Sequence, residues 1–166
     1  GVHFIAAGVF WPLVLYLLAI NLQEIGGLYT FTNLILAAFT VYLGRVSTRK
    51  NQHSILRWGT IVHSASLTIR TTLKTVGLIA IAQGFGALSW GMVNIPFFAM
   101  HYNKSQRYGI AHTVYAREIY AHIGRFLAAA LLAVLVLVGV SSLAALISII
   151  LAGAVAVILM TFIREE

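Results

Sequence analysis

From Phe126 to Ile163 the chain carries no ionisable side chain, and its polar side chains there are Ser141, Ser142, Ser148 and Thr161. An apolar helix of about 20 residues crosses the hydrocarbon core of a bilayer. This stretch is therefore long enough to cross twice, with Gly139 to Ser142 as the turn between crossings. Backbone inside lipid must satisfy its own hydrogen bonds, which leaves helices or closed barrels. Long Leu, Ala, Val and Ile runs with little two-residue alternation favour helices over barrel strands.

The rest of the chain repeats the pattern and predicts six spans, at residues 2–20, 27–44, 58–73, 76–101, 115–140 and 143–163. The first holds Trp11-Pro12 near its middle and is followed by a link from Asn21 to Gly26. The third is the least hydrophobic and holds His63 and Arg70, with Lys74 in the short turn after it. The fourth is rich in glycine (Gly77, Gly84, Gly86, Gly91) and contains Pro96. Such glycines read as points of close helix approach. The third and sixth spans are expected at the bundle periphery. The sixth has no polar group needing shelter, and Arg70 near the outer end of the third can snorkel to the interface.

Composition enters to set the class. Hydrophobic residues make up 60% and charged residues 9%, and the mean hydropathy is +0.93. A soluble domain averages about 25% charged residues, so this chain could not cover a water-facing surface. The net charge of +7 does not point to nucleic acid, because the basic residues lie between apolar spans and read as topology. Arg45, Arg49, Lys50, Arg57, Lys104, Arg107, Arg117 and Arg164 fall on one side, and Arg70 and Lys74 on the other. The basic excess marks the cytoplasmic side, so both ends are expected in the cytoplasm. The absence of cysteine fits a reducing side or a bacterial inner membrane. The chain opens at Gly1 beside an apolar run, without initiator Met, basic leader region or small-residue cleavage site. It is expected to be a piece of a longer protein, with residues 2–20 a true span.

Prolines in the first and fourth spans match a three-plus-three inverted repeat, where interrupted helices in corresponding positions mark a substrate path. Gly44-Arg45-Val46-Ser47-Thr48-Arg49-Lys50-Asn51 follows the second span, and Gln83-Gly84-Phe85-Gly86 with Asn94-Ile95-Pro96 lies in the fourth. These segments, with the spacing of all six spans, resemble one half of a major facilitator superfamily transporter. The family's loop motif has Asp where Thr48 stands and Gly where Asn51 stands. Its fourth helix has Arg where Ala80 stands, and antiporters carry Gly-Pro pairs in the fifth helix, where this chain has Gly124 alone. Those departures argue against the usual proton antiport, and the degenerate loop resembles the carboxy-terminal half. The resemblance implies twelve helices in two bundles, a second six-helix half as partner, alternating access, and first and fourth helices that line the central cavity.

Polar side chains in hydrocarbon are costly and tend to face a bundle interior or a water-filled cavity. Trp11, Asn33, Gln83, Trp90 and Asn94 are the candidates for a path taken by a small solute, and Gln83, Trp90 and Asn94 share one helical face. Near the cytoplasmic ends Glu118 is the lone acid. It shares a face with His122 and Arg125 and is expected to pair with Arg49, with Arg45 and Arg125 as rivals. In the resembling family such pairs latch neighbouring helices, which makes Arg45, Arg49, Glu118 and Arg125 candidates for a cytoplasmic gate.

Other classes are weaker. Gly86-Ala87-Leu88-Ser89-Trp90-Gly91 lacks the spacing of a nucleophile turn, and the sixth span offers no His base, so no enzyme is expected. His63 and His122 could ligate haem iron, but no spacing selects that, and no cofactor or metal is assigned. A six-helix scaffold that binds a partner without transport is the remaining alternative. The lipid bilayer is a partner on every reading. The substrate is not legible in the sequence.

Overall fold

The computed structural model describes residues 1–18, 20–48 and 50–162, with the backbone alone at 107 and 108. Arg49, Arg164, Glu165 and Glu166 thus lie outside the described residues, as does the Arg107 side chain. The described residues form an all-helical bundle. Its rods are α1 (Val2–Leu17), α2 (Leu22–Val46), α3 (Gln52–Arg70), α4 (Val76–Tyr108), α5 (Ile110–Leu137) and α6 (Ser142–Leu159), closed by a short turn at Met160–Phe162. Four of them, α2, α4, α5 and α6 with its closing turn, are long and apolar enough to cross a membrane. The chain is an integral membrane protein on that ground. At α1 the apolar helix is shorter, and α3 carries too many polar groups to qualify by hydropathy.

Local chemistry sets the boundaries. The second helix begins at Leu22, ahead of the expected residue 27, because Asn21 and Glu24 form a capping box. The Asn21 side chain accepts from the Glu24 amide at 2.8 Å, and the Asn21 amide donates to the Glu24 carboxylate at 3.3 Å. Two otherwise orphaned donors are thereby satisfied. At Gly109 and Gly139, φ is +90° and +85°; glycine adopts this region without Cβ strain, so the chain turns there.

The first helix changes register. Ala6–Phe10 is a π turn, and the Trp11 amide donates to the Ala6 carbonyl. Pro12 is the cause: it has no N–H to give and its ring crowds the preceding turn. The Ala7 carbonyl, whose wider-register donor would be Pro12, instead accepts the Tyr29 hydroxyl at 3.2 Å. The proline thus opens the backbone of α1 where α2 passes it.

Packing departs from the expected layout at α3. Its buried residues, Gln52, Leu56, Gly59, Thr60, His63, Ser64, Leu67 and Arg70 among them, recur at three and four and form one stripe. That stripe lies between α4 and α6. Ser64 donates to the Ala154 carbonyl at 3.0 Å, and Thr60 and Thr161 share a hydrogen bond of 3.0 Å. At the crossing with α4, a Cβ on Gly59 would stand 2.8 Å from the Met92 backbone. Arg70 does not snorkel; it is 6% exposed. The reason is the polarity itself: hydroxyls, an imidazole and a guanidinium need protein around them, so the least hydrophobic helix moves inward. Along α6, Ile149, Ile150 and Val157 are buried while Val155 and Leu159 are exposed, so it shelters α3 with one side and leaves the other free. The least buried rods are α2 and α5, where Leu28, Leu43 and Ala128 are the buried residues. Further packing joins α2 to α4, α4 to α5, α1 to α2, α5 and α6, and α5 to α6.

Candidate functional site: a cavity around Arg70

Between α1, α2, α3 and α4 lies a cavity of about 280 Å³, open on one side. Its lining includes His3, Asn33, His63, Arg70, Gln83 and Trp90. The rest is mostly apolar, with Phe4, Leu36 and Ala87 contributing.

Two sequence candidates meet directly. The Trp11 indole N–H donates to Gln83 Oε1 at 2.9 Å. Indole nitrogen only donates, so the carbonyl end of the Gln83 amide must face Trp11. The amide NH2 is left as a donor. This bond ties α1 to α4 beside the cavity, with Trp11 and Gln83 both buried. Trp90 lines the wall two turns along, and Asn33 reaches the mouth from α2, where it is exposed. Asn94 lies a turn beyond Trp90, half-buried and outside the lining.

Arg70 is the largest charge in the site. The described hydrogen bonds of its guanidinium both use Nη2, to the Ala82 carbonyl at 3.4 Å and the Gln83 carbonyl at 3.3 Å. Nε is buried without a partner. The guanidinium carbon stands 6.0 Å from the Trp11 ring centroid, within cation–π range. Gly86 makes the room, since a Cβ there would overlap the guanidinium. No described carboxylate approaches it: Glu24 is engaged in its helix cap and Glu118 with Arg117.

The imidazoles form a second wall. His63, 3% exposed, has its ring centroid 4.7 Å from that of His3 and 5.2 Å from that of Trp90, and His3 lies 4.1 Å from Trp90. His63 Nδ1 is 3.1 Å from the Gly86 carbonyl and 3.0 Å from Ser89 Oγ. A carbonyl only accepts, so Nδ1 carries the proton. His63 Nε2 and His3 Nδ1 are buried without partners. The Ser89 contact brings a serine and a histidine together from a helix other than the sixth span. Ser89, however, donates to Gly86 at 3.0 Å, is 1% exposed and is not part of the lining, so the contact satisfies buried groups.

Among the described gate candidates, Arg45, Glu118 and Arg125 are not part of the cavity lining. The nearest cation to Glu118 is its neighbour: Arg117 Nη2 and Nε donate to one carboxylate oxygen at 2.6 and 3.1 Å. A guanidinium on the adjacent residue reaches that oxygen without a second helix. Arg125 turns instead to Phe4, its guanidinium carbon 4.9 Å from the ring centroid, and Arg45 is exposed. The expected partner Arg49 is outside the described residues. His122 is exposed on α5, while His63 is engaged with His3. Among the described residues no cluster of three metal-ligating side chains occurs.

The glycines divide. A Cβ on Gly84 would stand 3.4 Å from the Ile35 side chain, and one on Gly91 would stand 3.2 Å from Phe39, so both serve the approach of α2. Gly77 has nothing near it. Gly86 serves Arg70.

Arg70, His3 and Tyr29 are the site residues that pattern reading missed. One signal was present. A cation in the third span, in a chain with no Asp and with Glu24 and Glu118 as its acids before the tail, had no internal counter-ion in reach by count alone. A scan against protein-family models finds no match, and searches of the curated proteins and of the solved structures find none either.

Proposed function

We propose that the chain is one six-helix half of a solute transporter of the major facilitator type, with the cavity around Arg70 as part of the solute path. The observation that carries the reading is the pattern of helix pairing. Exchange the first three helices with the last three, so that α1 takes the place of α4, α2 of α5 and α3 of α6. The pair α3–α4 then becomes α6–α1, α2–α4 becomes α5–α1, and α1–α2 becomes α4–α5. The pair α3–α6 maps onto itself. All of these pairs pack in the bundle, although α2–α4 is more extensive than α1–α5 and α1–α2 less extensive than α4–α5, and among the described residues α5–α6 is the pairing with no counterpart beyond marginal contact. A three-plus-three repeat would produce this pattern, and in such repeats the site lies where interrupted helices of the two units meet. The proline-bearing helices here are α1, whose register breaks ahead of Pro12, and α4, which continues through Pro96, and the Trp11–Gln83 bond joins them. The thin burial of α2 and α5 supports a second half as partner, and the basic loops support a cytoplasmic location for both ends.

The test uses the absence of cysteine. Single cysteines at Ala7 and Asn33, on the cavity wall, are challenged in the intact protein with a membrane-impermeant thiol reagent from each side. Alternating access exposes the same position to both sides in turn, so labelling from both is expected. Labelling from one side alone would favour the scaffold reading.

A further inference from the structure

We infer that the cavity binds a small organic monoanion, with Arg70 holding its carboxylate and the apolar wall holding its body. Three observations lead there. First, the guanidinium is buried with no described acid against it, and two long bonds to carbonyls leave Nε unused. A buried cation without a counter-charge is costly, and the cost is offset when an anion arrives with hydrogen bonds. A ligand is the available source.

Second, a further donor stands beside the guanidinium. The Trp11 bond turns the Gln83 amide so that its NH2 is spare. Tyr29 spends its proton on Ala7, and Thr32 spends its own on Leu28 at 2.6 Å, so both hydroxyls, like His63 Nε2, can only accept, and the donor role falls to Arg70 and Gln83. A planar guanidinium fork with an amide NH2 beside it matches a carboxylate.

Third, the rest of the lining sets size and charge. One guanidinium supplies one fixed positive charge. Phe4, Leu36, Ala87 and Trp90 offer hydrocarbon and an aromatic face, which a multiply charged oxyanion would not use. The volume admits a body about the size of a single ring, below the usual drug-sized range of about 300–1,000 Å³. Binding stands on the geometry alone; that the anion crosses the membrane rests on the transporter reading.

The experiment is a titration of the purified protein in lipid nanodiscs, read by tryptophan fluorescence. Trp11 and Trp90 border the site, and Trp58, which is exposed, gives a constant background. The probes are benzoate, benzyl alcohol of the same shape without charge, and inorganic phosphate. Benzoate is expected to saturate the signal and raise the unfolding temperature, with no saturable response to benzyl alcohol. Arg70→Gln removes a charge-assisted contact and is expected to weaken benzoate about tenfold or more. Gly86→Ala, which drives the guanidinium from its place, is expected to do the same with every lining side chain present. Equal responses to benzoate and benzyl alcohol, or an unchanged benzoate affinity in a folded Arg70→Gln protein, would overturn the site. Phosphate binding tighter than benzoate would overturn the organic assignment. If neither variant folds, the three probes on the unmodified protein still decide. Benzoate binding with one-sided cysteine access keeps the site and removes the transporter. Two-sided access without benzoate preference does the reverse.

Discussion

At the residue scale, Arg70 separates stability from function. Replacing a buried ion pair by apolar side chains of similar volume is often neutral, or stabilising by about 1–4 kcal/mol, and a buried charge with no partner is costlier still to keep. Arg70→Met is therefore expected to leave thermal unfolding unchanged or raise it, while abolishing the response to benzoate. A structural arginine would behave otherwise, since loss of its bonds to Ala82 and Gln83 would lower the unfolding temperature. The neighbouring bond makes a finer point. Trp11→Phe keeps an aromatic ring, smaller than the indole, and loses the donor that orients Gln83. The amide is then free to turn its carbonyl towards the cavity, and benzoate affinity is expected to fall while Arg70 stays in place. An unchanged titration would mean that Gln83 does not touch the ligand.

At the element scale, α3 is the helix on which the bundle closes. Its glycine at 59 meets the backbone of Met92 and Val93, so a larger residue has nowhere to go. Gly59→Val is expected to cost about 1–3 kcal/mol, seen as a lower unfolding temperature and reduced recovery of folded protein. Gly77→Val, with open space beside it, is the matched control and is expected to lose much less. The elements show what could be read in advance. Apolar runs located all six rods and the turn at Gly139, but the stretch between residues 101 and 115, outside the expected spans, is helical except for the turn at Gly109. The inward position of α3 does not follow from the snorkelling rule, which considers Arg70 alone. Taken together, Thr60, His63, Ser64 and Arg70 recur at helical spacing and define a polar stripe too wide to meet lipid. The capping box at Asn21 has a legible Asn-x-x-Glu pattern, but Gly26-Gly27 draws the expected boundary too late. Of the site, Trp11, Asn33, Gln83 and Trp90 were legible because amides and indoles are scarce in hydrocarbon. The π turn was not, since it depends on how Pro12 and Tyr29 meet in space.

At the scale of the whole molecule, the arrangement of charge and of burial make separate claims. The basic loops predict that cysteines placed at Lys50 and Lys74 label from opposite faces of the membrane. Labelling from one face would remove a crossing between them and with it the six-span topology. Burial makes a claim about surface. Both α2 and α5 expose large apolar side chains, Leu34 at 66% and Phe126 at 72% among them. Such area rimmed by little polarity is suited to lipid or to another apolar helix.

The position of α3 between α4 and α6 also bears on biosynthesis. A segment with His63, Ser64 and Ser66 along its inner half and Arg70 at its end partitions poorly into lipid on its own, because polar residues add to the insertion cost, most of all near mid-helix. Its polar stripe is sheltered partly by Ala154 and Thr161, which emerge from the ribosome about a hundred residues later. Its stable membrane insertion should therefore wait for the last helix. In nascent chains arrested with residues beyond 140 still unmade, residues 52–70 are expected to remain open to aqueous labelling reagents. That labelling should be lost once α6 has been released.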